Sequence, residues 1–240
     1  MNSWGNIMEK LLMKDNIDIK KIKDFLMSLS ILLVISPLNL IYMLLNRSSR
    51  GVHSLVLSAD NMIPFVKLFI LPYIGWYAFI FLTMVYLCYK DRETYFITLT
   101  TYVLGLLASF LTFYLFQTTV PRPEITGNDY LTKLILIIYN ADKPYNCFPS
   151  IHVLTSYLMI KAVMSSSIRN KLNLSIVGVS AGLIIISTLF IKQHVILDVI
   201  SGVIYADILF RIVQIYGVKL WNITRKQFSI LLMRKKLEAE

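Results

Sequence analysis

Apolar residues in this chain gather into long runs separated by short polar connections. Six runs reach or approach the ~20 residues that a helix needs to cross a hydrocarbon core: 25–45, 68–89, 94–117, 149–164, 172–191 and 195–218. Strands of a membrane β-barrel would instead alternate apolar and polar positions over about ten residues, and these runs do not alternate. The pattern predicts an all-α integral membrane protein, a six-helix bundle. The fourth run is short and carries Lys161, whose stem can snorkel its charge toward an interface. The sixth holds Asp198, Asp207 and Arg211, which suits a helix facing the bundle interior. Asp207 and Arg211, four residues apart, predict an internal ion pair. Residues 129–140 carry Tyr130, Leu131, Leu134, Ile135, Ile137 and Ile138 and predict a short helix lying on the surface beside a lipid entrance.

Composition agrees with this pattern. Hydrophobic residues make up 56% of the 240 positions and charged residues 16%, whereas a soluble domain averages about 25% charged. The formal net charge of +10 would suit nucleic acid, but its placement favours a membrane. Lysine and arginine concentrate in the tails and in alternate connections. With both termini cytoplasmic, 15 of them fall on the inner side and seven on the outer, as the positive-inside rule expects. The N-terminal stretch 1–24 and the basic C-terminal tail 219–240 mix Trp4, Leu11, Trp221 and Phe228 with lysines and arginines, and both predict amphipathic interfacial segments. They flank a catalytic membrane domain at 25–218. No secretory signal peptide is expected, because the first apolar run follows a long polar stretch. Cys88 and Cys147 fall at opposite ends of the spans and do not read as a disulfide. No metal-ligand spacing occurs.

Chemistry-bearing residues stand at the ends of the runs. His194 and Asp198 are four apart, so on a helix they share a face. The carboxylate can fix one imidazole nitrogen and leave the other as a nucleophile. A lone pair of this kind more often just seals a helix end; here it has company. Pro149 suits the first position of a helix, which would set the N–H groups of Ser150, Ile151 and His152 at an anion-attracting terminus. Ser150 adds a hydroxyl, and His152 could protonate a departing oxygen. Pro121 and Pro123 hold Arg122 in an extended loop, where its planar fork suits phosphate oxygens. Lys192 could add charge at the rim. Lys143 and Asp142 are weaker candidates that read more as loop residues, and His53 is assigned no role. With six alternating spans, Arg122, His152 and His194 all fall on the outer side.

Arg122-Pro123, then Pro149-Ser150-Ile151-His152, then His194-xxx-Asp198, in this order on six spans, resemble the type 2 phosphatidic acid phosphatase superfamily. The resemblance implies that His194 forms a phosphohistidine while Asp198 orients it. His152 would protonate the leaving group and then activate water, Arg122 and Ser150 would hold phosphoryl oxygens, and no metal or other cofactor would be needed. Two departures stand out. Leu115 occupies a position where the family commonly has lysine, and Thr188 one where it commonly has arginine. Isoleucine in Pro-Ser-Ile-His, where many phosphatases have glycine, resembles the inositol phosphorylceramide synthase-like branch.

The expected protein is thus a multi-pass cell-membrane enzyme. It would hydrolyse a lipid phosphate or prenyl diphosphate at the extracytoplasmic face, with membrane lipids as its surroundings and no nucleic-acid partner. A headgroup phosphotransferase using the same residues is the alternative. A lipid-binding protein that lost catalysis with its missing cations is another.

Overall fold

The computed structural model describes residues 19, 21–47 and 51–237, with side chains as far as Gly217. The chain is mostly helical. Its α-helices are α1 (Lys21–Leu45, with a 3-10 stretch at Ile31–Val34), α2 (Ile70–Lys90), α3 (Arg92–Leu115), α4 (Tyr130–Ala141), α5 (Ile151–Ser165), α6 (Lys171–Phe190) and α7 (Ile196–Leu237). Four of the described helices, α1, α2 (with the preceding 3-10 turn Lys67–Phe69), α3 and α6, are long and apolar enough to cross a membrane, while α4 and α5 are shorter apolar helices. These lengths mark a helical membrane protein.

Helix starts follow from local side chains. Asp91, Asp129 and Asn170 each accept a hydrogen bond from a backbone N–H three residues on, at 3.0, 2.9 and 2.8 Å, and so cap α3, α4 and α6. Ser150 does the same for α5, taking the N–H of Val153 at 3.4 Å. Pro149 therefore precedes the cap, and α5 opens at Ile151 rather than at the proline. The third run ends at Leu115, two residues earlier than its apolar pattern suggests. Gln117 has left the helix, and its carbonyl accepts from the N–H of His53 at 2.9 Å. This bond opens a two-stranded parallel ladder between β1 (His53–Ser54) and β2 (Thr118–Thr119).

α5 is the middle of the bundle and packs against α2, α3, α6 and α7. Val153, Leu154, Thr155, Ser156, Leu158, Met159, Ala162 and Val163 are all buried, so little of this helix is available to face lipid. Two glycines permit its close packing. A Cβ on Gly105 of α3 would come within 2.9 Å of Leu154, and one on Gly202 of α7 within 2.8 Å of the Ser150 carbonyl.

Lys161, expected to snorkel outward, instead pairs with Asp207 at 2.8 Å; Asp207 also meets Arg211 at 2.7 Å, but Arg211 is 66% exposed, so this pair sits at the bundle surface rather than inside it. Cys88 and Cys147 are free and buried, not paired. The backbone of α7 continues without a break from Ile196 to Leu237, so the basic C-terminal segment extends the last helix of the bundle. Most of the N-terminal segment 1–24 lies outside the described residues.

Candidate active site

The connections after α1, α3 and α6 meet the starts of α2, α5 and α7 at one end of the bundle. Backbone hydrogen bonds tie them together: Val66 N–H to the Phe190 carbonyl at 3.0 Å, and Ser150 N–H to the Asp198 carbonyl at 3.1 Å. The second bond, with the close approach allowed by Gly202, sets the first turn of α5 against that of α7. The rings of His152 and His194 stand 6.1 Å apart as a result.

His194 lies in the turn before α7 rather than on the helix. The carbonyl of Thr188 accepts both the Gln193 and His194 N–H groups, at 2.9 and 3.1 Å, and this folds the turn back on α6. Asp198, fully buried in the first turn of α7, uses Oδ2 twice. It accepts the N–H of Val195 at 3.0 Å, as a capping-box acid does, and it lies 3.3 Å from Nδ1 of His194. Nδ1 of His194 is thus engaged by Asp198, and Nε2 is the other ring nitrogen. Oδ1 of Asp198 is buried with no hydrogen-bond partner among the described residues.

His152 is held by rings. Tyr73 stacks on it at 4.4 Å and 25°, and Trp76 lies 4.3 Å away at 44°. The indole N–H of Trp76 donates to Thr155 Oγ1 at 2.8 Å, fixing that ring in turn. Among the described residues the imidazole nitrogens of His152 engage no hydrogen bond, so they are available to a ligand.

The remaining candidates are placed differently. Ser150 is fully buried, and its hydroxyl oxygen serves the α5 cap. Arg122 donates to the carbonyls of Tyr139 and Asp142, at 3.2 and 2.8 Å, and to Gln193 Oε1, and it lies 4.3 Å from the centre of the Tyr139 ring. It therefore satisfies carbonyls at the end of α4 and touches the residue next to His194. Its Nε and the Nε2 of Gln193 are buried donors without partners among the described residues. Lys192 is not brought to the histidines. Its ammonium donates to the carbonyls of Asp60 and Ile63, at 3.1 and 2.5 Å. Leu115 is 71% exposed and Thr188 is fully buried, so neither position offers a cation to the site.

Two acidic residues at this end of the bundle carry no motif in the sequence. Asp60 is buried in the 3-10 turn Ser58–Met62 and accepts the Ile196 N–H at 2.8 Å, capping α7 from a distant part of the chain. Asp142 follows α4 and accepts from Tyr42 at 2.7 Å and from Asn46 at 2.9 Å. Burial raises its carboxyl above the usual carboxylate range, against the opposing pull of the Tyr42 hydrogen bond and the charges of Arg122 and His194. Burial also holds the Cys147 thiol well above its ordinary value, which makes it an inert packing group beside Val120 and Val195.

His152, His194 and Asp142 border one cavity of about 580 Å³. Its walls are otherwise mainly apolar: Leu32, Leu33, Ile35 and Met43 from α1, Ile80, Phe81 and Met84 from α2, and Leu106 and Phe110 from α3. A polar head with two histidines thus opens onto a hydrocarbon-lined space inside a helical membrane protein.

Fold and site together define a helical membrane protein in which a His–Asp pair and a second histidine border one apolar cavity. A family model described as PAP2 superfamily matches residues 65–212, more than half of the chain, and the chain belongs to that superfamily. Members of the superfamily generally hydrolyse phosphate esters. No curated protein and no solved structure matches the chain.

Proposed function

We propose that this protein hydrolyses a lipid phosphate or prenyl diphosphate through a phosphohistidine on His194, in the membrane and at its extracytoplasmic face. The observation that carries this reading is the pairing of two histidines with one hydrocarbon-lined cavity. Nε2 of His194 attacks phosphorus while Asp198 stabilises the imidazolium that results. His152 protonates the departing oxygen, and then takes a proton from the water that releases phosphate. Arg122 and the unpaired Gln193 amide supply donors for the phosphoryl oxygens, and Ser150 sets the α5 terminus beside them. The lipid chain lies along α1, α2 and α3. Six spans with both termini cytoplasmic place the site outside, a reading supported by the excess of inner lysine and arginine.

Phosphate release from phosphatidate, phosphatidylglycerophosphate and undecaprenyl diphosphate by the purified protein in detergent tests this reading. We expect turnover on at least one of them, unaffected by a chelator and abolished in His194→Ala. Activity that survives His194→Ala, or a strict divalent-metal requirement, would remove the mechanism. A transferase using the same histidines is the second reading, favoured by the polar groups that accompany them at the head of the cavity.

A further inference from the structure

Asp142 has no part in the chemistry above. Asp198 already orients His194, and His152 already moves the protons. An additional carboxyl near a phosphoryl group brings like charge toward an anion, and burying it is costly in itself. Its surroundings nevertheless hold it in place. Oδ1 takes hydrogen bonds from Tyr42 and Asn46, and the backbone carbonyl takes one from Arg122. Oδ2 accepts no hydrogen bond among the described residues, while the side chain borders the same cavity as His152 and His194. Asn39, Tyr42 and Asn146 border that head as well. The arrangement offers a fixed acceptor, flanked by neutral polar groups, on the cavity that His194 also borders. Hydroxyl groups are the ligand chemistry that suits it, since each brings a donor for the carboxyl and an acceptor for the amides.

We propose that Asp142 holds one hydroxyl of a polyol at the head of the cavity, so that a neighbouring hydroxyl of the same molecule, rather than water, attacks the phosphoryl group on His194. This rests on the reading of His194 as the nucleophile. In the transfer step the P–N bond breaks and its electron pair returns to Nε2 of His194. The attacking oxygen forms the new P–O bond, and its proton passes to His152, which lost one to the leaving group in the first half-reaction. Asp142 is a positioning residue here; its carboxyl exchanges no proton.

The full-length protein in detergent, supplied with a lipid phosphate that it turns over, is offered glycerol or methanol at equal concentration. The transferred product is measured against free phosphate. Wild type should favour glycerol over methanol by about fivefold, the value of one hydrogen bond, and Asp142→Asn should bring the two alcohols close to parity. Equal partition in wild type, or a glycerol preference unchanged in Asp142→Asn, would overturn the proposal. A second arm needs no turnover: saturation-transfer NMR of glycerol with the same protein. A glycerol signal several-fold above that of methanol, and diminished in Asp142→Asn, supports the subsite. Its absence in wild type overturns it. An Asp142-dependent signal in a protein that turns over no phosphate ester would count against the phosphohistidine reading while leaving the polyol site intact. Both wild-type comparisons stand even if the variant fails to fold.

Discussion

One carboxylate oxygen, Oδ2 of Asp198, meets both Nδ1 of His194 and the N–H of Val195. Capping of α7 and orientation of the His194 ring are therefore the same act. Asp198→Asn keeps the shape but loses the charge, and kcat should fall by on the order of a hundredfold or more, with a smaller change in KM. Trapping with a radiolabelled substrate should show an acid-labile phosphoprotein in wild type and none in His194→Ala. Asp142 gives a pH signature. Burial raises its carboxyl, so the folded state favours the protonated form. That contribution to stability is complete below the ordinary carboxylate range of about pH 4 and is lost as pH rises through the higher folded value. Thermal melts should show wild type losing stability relative to Asp142→Asn as pH rises from about 4 toward 7. A parallel pair of curves would mean that Asp142 ionises freely.

At the scale of elements, the site depends on how α5, α7 and the turn between α6 and α7 are held. Asp60 caps α7 through Ile196, and Lys192 returns from the nucleophile turn to the carbonyls of Asp60 and Ile63. The two segments brace each other across more than a hundred residues of sequence. Lys192 itself has a left-handed backbone, with φ of 53°, a conformation uncommon outside glycine, asparagine and aspartate. Asp60→Ala should cost about 1 kcal/mol of stability from the lost cap and lower kcat as the His194 turn loosens. Melting temperature and kinetics on the same preparation check both effects. Gly202 is a sharper test of helix spacing. A methyl group there meets the Ser150 carbonyl at 2.8 Å and Val153 Cβ at 3.0 Å, so Gly202→Ala must push α7 from the start of α5. A cost of about 1–3 kcal/mol is expected from such overpacking, with a loss of turnover larger than that of a matched substitution at Gly178, where a methyl group meets nothing within 4 Å.

Across the whole molecule, the cavity joins the site to hydrocarbon. Ser36 borders it from α1, and Ser36→Trp should raise KM for a long-chain substrate far more than for a short-chain one. Equal effects would place the lipid chain elsewhere. Much of this architecture was legible beforehand, because the length of an apolar run is set by the membrane it crosses. The α-helices expected from the runs are all present, and alternate connections bring residues 122, 152 and 194 to one end. The His194–Asp198 contact and the placement of His152 at a helix start were readable because they depend on short-range spacing and residue type. Asp60 and Asp142 were not, since their partners lie 136 and up to 100 residues away, and no local pattern records such distances. The ring stack that fixes His152 and the diversion of Lys192 to two carbonyls escaped for the same reason. The sequence by itself determined an all-helical membrane protein with two histidines at helix ends, because hydropathy and spacing act along the chain. Only the tertiary structure decided which charges face those histidines and which are spent on loops, because a buried donor or acceptor takes whatever partner folding brings within hydrogen-bond distance.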